Sequence, residues 1–134
     1  MTVSLTKDSI DLGIVVKDAD AALRFYRDTL GFESAGETPM PGGGGTMYRL
    51  MCGTSMIKLV HPSSPPPAVA PPGGIPGAYG YRYWTISISN LEAITAECAA
   101  AGYTVVVPAR QLRAGISISI VEDPDGNWVE FLQV

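Results

Sequence analysis

Short segments in which apolar and polar residues alternate recur along the chain and predict β-strands. The clearest lie at 11–16, 54–60, 83–89 and 128–132, and further strands are expected near 31–38, 46–51, 104–107 and 115–121. Two other stretches, 19–30 and 91–101, carry apolar residues at helical spacing. Asp18 and Asn90 directly precede them as predicted N-caps, and a glycine follows each.

This order of elements occurs twice. One constant displacement along the chain, the module offset, maps Asp11 onto Tyr83 and the segment 57–60 onto 129–132. Each half is therefore predicted to be a βαβββ module, a strand followed by a helix and three further strands. Such a duplication is more specific than any single predicted element.

A proline-rich segment separates the two halves. Residues 62–80 contain seven of the chain's eleven prolines, which excludes a helix or a central strand and predicts an extended connector. We therefore expect one domain over 1–134, with module 1 at about 9–61 and module 2 at about 81–134.

The alternation also assigns a face to each strand. The purely apolar rows are expected to pack under the helices; they are Leu12, Ile14, Val16, Ile57, Leu59, Trp84, Ile86, Ile88, Val129 and Phe131. The opposite rows mix polar residues with large apolar ones such as Met56 and Trp128. This mixture predicts a lined cavity, and a solvent-facing sheet surface is the alternative. Ser117 and Ser119 are predicted to lie on the polar face of their strand.

Composition narrows the class of protein. The 134 residues are 46% apolar and 16% charged, enough for a core that needs no disulfide or metal. The net charge of −4 argues against nucleic-acid binding. Apolar runs are too short to cross a bilayer and the first residues do not resemble a secretory signal, so we expect a cytoplasmic protein without membrane contact. The two cysteines are expected to be reduced.

Three segments carry a family resemblance. Residues 12–18 (LGIVVKD), 23–32 (LRFYRDTLGF) and 122–131 (EDPDGNWVEF) resemble the vicinal oxygen chelate superfamily, which includes glyoxalase I, bleomycin-resistance proteins, extradiol dioxygenases and methylmalonyl-CoA epimerase. The resemblance implies an α+β fold in which two tandem βαβββ modules form a cup-shaped, partly open β-barrel with helices outside. It also implies a homodimer, and leaves open whether modules pair within one chain or between chains.

In the metal-dependent members of that superfamily, four inward side chains hold a divalent ion. The resemblance places these positions at Asp11, Lys58, Tyr83 and Glu130, and only Glu130 keeps the family's residue type. The ammonium of Lys58 repels a cation, and a tyrosine phenol is a poor ligand for the usual divalent ions. We therefore expect no catalytic metal and no other cofactor. If a metal binds, Glu130 and Asp11 are its expected ligands.

The same four residues are the predicted catalytic set. Lys58 would polarise a substrate carbonyl or enolate, Glu130 or Asp11 would move the proton, and Tyr83 would donate a hydrogen bond to the oxyanion. A purely structural salt bridge between Lys58 and Glu130 or Asp11 is the alternative role. The residues predicted to contact substrate are Arg49, Met56, Thr85, Ser87 and Trp128.

Two functional classes follow. The first is a small-molecule enzyme of lyase or isomerase type that transfers a proton on a carbonyl-containing substrate in the barrel cavity without a metal. The second is a non-catalytic binder that sequesters an antibiotic, as bleomycin-resistance proteins do. The charged set suits the enzyme, whereas the acidic net charge and the aromatic residues suit the binder.

Overall fold

Two successive repeats of the same elements form the structure, a computed structural model that describes residues 1–134. The strands are β1 (Leu12–Val15), β2 (Glu33–Pro39), β3 (Gly45–Cys52), β4 (Ser55–Pro62), β5 (Tyr83–Ser87), β6 (Val105–Arg113), β7 (Ile116–Glu122) and β8 (Trp128–Gln133). The helices are α1 (Ala19–Leu23), extended by a π-helical segment (Arg24–Thr29), and α2 (Leu91–Ala100); Pro41–Gly43 forms a 3-10 turn. No helix is both long and apolar enough to cross a membrane.

The chain divides into two units, Met1–Pro67 and Ala68–Val134, each with its own four-stranded mixed sheet. The strand order is β1-β4-β3-β2 in unit 1 and β5-β8-β7-β6 in unit 2. The first and last strands of each unit pair in parallel, and the other pairs are antiparallel. Gly13 pairs with Lys58 in β1 and β4, and Thr85 pairs with Glu130 in β5 and β8. The module offset relates these two pairs, so the α+β class and the duplicated βαβββ order are confirmed.

Each unit buries one face of its sheet under its helix. Ile57 and Leu59 in unit 1, and Val129 and Phe131 in unit 2, are buried as the alternation predicts. Phe25 contributes to the core of unit 1 and Cys98 to that of unit 2, both without measurable exposure. Burial of side chains of this size stabilises a fold by about 1.5–3 kcal/mol each relative to exposure.

The first helix departs from the predicted continuous α-helix over 19–30. It begins as expected, because the Asp18 carboxylate accepts a hydrogen bond of 3.1 Å from the Ala21 N–H. It then widens, and the Leu30 N–H donates to the carbonyl of Phe25, five residues earlier, at 2.9 Å. Phe25 and its neighbour Tyr26 are both fully buried in this wider turn.

Asn90 occupies the predicted N-cap position of α2, but the prediction that its side chain caps the helix is wrong. The Asn90 side chain makes no capping hydrogen bond, and the Leu91 N–H donates instead to the side-chain carbonyl of Gln133 at 2.8 Å. Gln133 lies in β8, 42 residues further along the chain. The first N–H of the helix is therefore satisfied by a tertiary contact rather than by a local one.

The predicted position of Ser119 on a polar face is also wrong. Ser119 pairs with Phe131 across β7 and β8, so the two side chains share the core face of the sheet. Ser119 is fully buried, and its hydroxyl lies 2.8 Å from that of Thr95 in α2. The Thr95 hydroxyl is also 2.6 Å from the Leu91 carbonyl, so this buried polar pair has partners on the helix.

Candidate functional site

Two cations lie side by side on the sheet face of unit 1 that does not carry the core row. Arg49 in β3 is directly opposite Lys58 in β4, and both side chains are half-buried. Neither forms an ion pair or hydrogen bond within the unit, and the Nε of Arg49 is buried without a partner. Because like charges at directly opposed positions destabilise a sheet, this pair is an unusual feature of the face.

A β-bulge in β2 makes room for the Arg49 guanidinium. The register of β2 against β3 shifts between Ser34 and Glu37, and Gly36 lies within that bulge. A Cβ added to Gly36 would lie 3.0 Å from the Nη2 of Arg49, and the φ of Gly36 is +102°. Both observations favour glycine at this position, since a side chain would crowd the guanidinium and strain the backbone.

Asp11 does not pair with Lys58 in the structure. Its carboxylate accepts a hydrogen bond of 2.6 Å from the Lys7 ammonium and one of 2.9 Å from the Met56 N–H. The hydrogen bond from Lys7 is the main cause that lowers the pKa of Asp11, followed by the bond from Met56. The more distant charge of Lys58 acts in the same direction. Asp11 is therefore an exposed carboxylate that is held in its ionised form.

Glu130 occupies the place in unit 2 that corresponds to Lys58 in unit 1. It lies in β8 beside Thr85 of β5, whose hydroxyl donates a hydrogen bond of 2.7 Å to Oε1 of the half-buried carboxylate. Its other neighbour across the sheet is the buried Ile120 of β7. Tyr83 and Ser87 flank Thr85 on the same face of β5, and both are exposed. One carboxylate oxygen is thus anchored by Thr85, and no hydrogen bond holds Oε2 within the unit.

Trp128 is covered by part of the proline-rich segment that the sequence predicted to be an extended connector. Gly74, which is buried and has a φ of +56°, lies so close to the indole that a Cβ at this position would overlap the ring. The indole Nε1 of Trp128 is buried without a hydrogen-bond partner. The alternation in the sequence indicated only which face of β8 carries Trp128, so the segment that covers this side chain was not predicted.

Arg82 holds this segment in place. Its Nε donates to the carbonyl of Gly74 at 2.6 Å, and its Nη2 donates to the carbonyls of Pro71 at 2.7 Å and Pro72 at 3.3 Å. The Gly77 N–H closes a turn onto the Gly74 carbonyl at 3.1 Å. Residues 71–77 are therefore a folded turn, not the extended spacer expected from their prolines. A guanidinium that reaches back 8 to 11 residues leaves no local pattern in the sequence.

Unit 2 also contains an open cleft of about 450 Å³ beside the start of α2. It is lined by residues 89–93, 109–111, 117 and 133. None of the residues predicted to act in the site lines it. The cleft is therefore separate from the face that carries Glu130.

A family model described as "Glyoxalase/Bleomycin resistance protein/Dioxygenase superfamily" matches residues 9–131. The chain belongs to this superfamily. The match covers both βαβββ modules and confirms the resemblance seen in the three sequence segments.

Several solved structures share the fold. SMU.1112c, known from a crystal structure, is 27% identical in sequence to this chain. The two structures have a TM-score of 0.74 and the match covers 96% of this chain and 99% of that one. A glyoxalase family protein from Bacillus cereus has a TM-score of 0.79 at 17% identity, covering 97% and 98% of the two chains. A superfamily member from Sphaerobacter thermophilus has a TM-score of 0.73 at 21% identity, covering 97% and 100%. Comparison with curated proteins gave no significant match.

The residues at the superfamily's metal positions do not fit a divalent ion. Lys58 brings a positive charge to one position and Arg49 stands next to it, while Asp11 is already engaged by Lys7. Neither unit contains a group of three His, Cys, Asp or Glu side chains that could hold a metal ion. One of the two metal positions in unit 1 therefore carries a cation, where a metal site needs anionic or neutral ligands.

Proposed function

We propose that this member of the glyoxalase superfamily is a small-molecule enzyme that moves a proton on a carbonyl-containing substrate without a metal, as a lyase or isomerase does. The proposal rests on two pairs of neighbouring strand residues that the module offset relates, Gly13 with Lys58 and Thr85 with Glu130. One presents a half-buried carboxylate anchored by a hydroxyl, Glu130 with Thr85, and the other presents Lys58, an ammonium without an ion partner in its unit. A base and an electrophile are the two groups that enolisation requires.

The residues take distinct roles in this reaction. Oε2 of Glu130 removes a proton from the carbon next to the carbonyl, and the electrons of that C–H bond move to the carbonyl oxygen as an enolate. The ammonium of Lys58 stabilises the negative oxygen, and the exposed phenol of Tyr83 donates a hydrogen bond to it. Return of the proton to another face or carbon completes an isomerisation. Thr85 orients Glu130 by holding its Oε1.

Asp11 is the weaker of the two predicted bases. Its pKa is lowered by the hydrogen bonds from Lys7 and Met56, so the carboxylate is less basic than an ordinary aspartate. We therefore assign the proton to Glu130 and give Asp11 the role of positioning β1 against β4 through the Met56 N–H. Met56, Ser87 and Trp128 remain proposed substrate contacts.

Support for a shared substrate comes from the duplication. Lys58 and Glu130 are related by the module offset, and the resemblance assigns both positions to one ligand site. A double-mutant cycle tests this step, because residues that act on one molecule give non-additive effects.

Exchange of substrate protons with deuterated water, followed by NMR on a panel of small ketones and keto acids, measures the reaction. We expect Lys58→Met and Glu130→Gln each to lower the exchange rate by about 100-fold or more. Arg113→Met, which removes one exposed positive charge from β6, serves as the matched control and should leave the rate unchanged. Exchange that survives in both site variants would refute the mechanism. A stoichiometric divalent ion required for the rate would refute metal independence.

A specific observation favours the second candidate, a non-catalytic antibiotic binder. Tyr79 and Tyr81 are fully exposed large aromatic residues in a chain of net charge −4, which suits stacking on a cationic drug. Tight binding of a cationic antibiotic such as bleomycin, lost in a Tyr79→Ala, Tyr81→Ala double variant and unaffected by Lys58→Met, would favour this function over the enzyme.

We also propose a homodimer and a cytoplasmic location. The superfamily resemblance supports the dimer, and light scattering on the purified protein tests it. Cys52 and Cys98 are both unpaired thiols, which suits a reducing compartment. Microscopy of a tagged copy in the source cell tests the location.

A further inference from the structure

The two cations Arg49 and Lys58 of unit 1 have no anionic partner. Arg49 and Lys58 stand on adjacent strands, where opposed residues have Cα atoms only about 4.5–5.5 Å apart. The residues on either side of the pair are glycines: Gly13 of β1 is next to Lys58, and Gly36 of the β2 bulge lies against Arg49. Glu33 of β2, opposite Met51 on the same face, is exposed and forms no ion pair with either cation. The nearby carboxylate of Asp11 is already bound to Lys7.

This arrangement costs stability in the absence of a ligand. Two like charges repel across the sheet, and the buried Nε of Arg49 has given up its water without gaining a hydrogen bond. An anion that accepts from the guanidinium and neutralises the ammonium removes both costs. Binding of such an anion is therefore more favourable here than at an exposed, solvated cation.

The neighbours of the pair select the shape of the anion. Gly13 leaves open space beside Lys58, because a Cβ added there would meet no atom within 4 Å. The register places three half-buried methionines on the same face around the pair: Met47, Met51 and Met56. Methionine side chains are flexible and polarisable, so they adapt to an apolar ligand body of varied shape.

We propose that the substrate is a keto acid with an apolar chain, whose carboxylate is bound by Arg49 and whose adjacent carbonyl oxygen is held by Lys58. The planar guanidinium matches a carboxylate with two parallel hydrogen bonds, whereas an ammonium acts as a point charge. Arg49 on β3 thus binds the carboxylate, and Lys58 on β4 binds the oxygen of the adjacent carbonyl carbon. The methionines contact the apolar chain. This inference rests on the proposed function, since it names the substrate class of that reaction.

Calorimetric titration with a matched pair of probes tests the proposal. The compound 2-oxooctanoate carries both the carbonyl and the carboxylate, and 2-octanone carries the same carbonyl and chain without the carboxylate. We expect the acid to bind at least about 10-fold more tightly than the ketone. Arg49→Met should weaken binding of the acid by roughly 10- to 100-fold and leave that of the ketone unchanged.

Two further variants control for charge and for folding. Arg49→Lys keeps the positive charge but cannot form two parallel hydrogen bonds to a carboxylate, so it should recover only part of the affinity for the acid. Arg113→Met should bind both probes as the unchanged protein does. Circular dichroism and a thermal midpoint establish that each variant is folded, and the Arg49→Met protein should be no less stable than the parent because a repulsive pair is removed.

The outcomes separate this proposal from the proposed function. Equal affinities for acid and ketone, or an equal loss of affinity in Arg113→Met, would overturn the carboxylate site. Inorganic phosphate that binds as tightly as the acid and with the same dependence on Arg49 would overturn the substrate class. Tight, Arg49-dependent binding of the acid without proton exchange would leave the site intact and refute the enzyme. Exchange on 2-oxooctanoate that is unaffected by Arg49→Met would support the enzyme and overturn the carboxylate site.

Discussion

Replacing Gly74 by alanine tests the packing of the proline-rich turn on Trp128. The added Cβ would overlap the indole ring, and the φ of +56° places an alanine in the left-handed region. The left-handed conformation costs about 1–2 kcal/mol for a residue with a Cβ, and overpacking typically costs about 1–3 kcal/mol more. We expect Gly74→Ala to lower the free energy of unfolding of unit 2 by about 2–5 kcal/mol.

Gly80→Ala separates the overlap from the backbone strain. Gly80 belongs to the same segment and has a φ of +101°, but a Cβ there would meet no atom within 4 Å. Both substitutions reduce the entropy of the unfolded chain by a similar amount. Because the φ of Gly80 lies further than that of Gly74 from the left-handed minimum at about +57°, alanine is strained at least as much at Gly80. The additional loss in Gly74→Ala, about 1–3 kcal/mol, is therefore a lower limit on the clash with Trp128.

Urea denaturation followed by tryptophan fluorescence is the appropriate assay, since both tryptophans, Trp84 and Trp128, belong to unit 2. With a slope of about 2 kcal/mol per molar urea, the midpoints of the two glycine variants should differ by about 0.5–1.5 M. Trp128→Leu in the Gly74→Ala background should recover most of the difference when unfolding is followed by circular dichroism. A Gly74→Ala midpoint at or above that of Gly80→Ala, together with no recovery by Trp128→Leu, would show that the turn does not pack on the indole.

Three further predictions concern buried or paired groups. Thr95→Val leaves the buried Ser119 hydroxyl without its partner and should lower the free energy of unfolding, measured by urea denaturation, by about 1–3 kcal/mol. A second change, Ser119→Ala, should recover part of that loss, and additive effects of the two changes would contradict the contact. The pKa of Asp11 is lowered chiefly by Lys7, so the stability it contributes is present above its ordinary pKa and lost as the pH falls through the folded-state value. Asp11→Asn should therefore flatten the loss of thermal stability below about pH 4, and an unchanged acid limb would argue against the pair. Burial raises the pKa of the Cys98 thiol to about 11. In a Cys52→Ser background, which removes the half-buried second thiol, the native protein should therefore resist a thiol reagent at about pH 8 until urea unfolds unit 2, whereas rapid native labelling would contradict this burial.

The sequence by itself determined the order of elements and their duplication. Alternation and helical spacing are local properties, and the module offset related Lys58 to Glu130 and Asp11 to Tyr83 from the sequence alone. Repetition strengthened each weak local signal, because the same pattern had to fit twice. The core rows of β4 and β8 followed from parity alone, since one face of each sheet must be buried under its helix.

Only the tertiary structure decided which polar groups meet. The partner of Asp11 is Lys7, which lies before the first predicted strand; the cap of α2 comes from Gln133; and Ser119 faces the core. The opposition of Arg49 to Lys58 likewise depends on the register of β3 against β4. A one-residue slip moves every side chain of a strand to the other face, and long polar side chains choose partners through space rather than along the chain. Local patterns therefore determined the fold, whereas the register of the strands in three dimensions determined which polar groups lie together on each face.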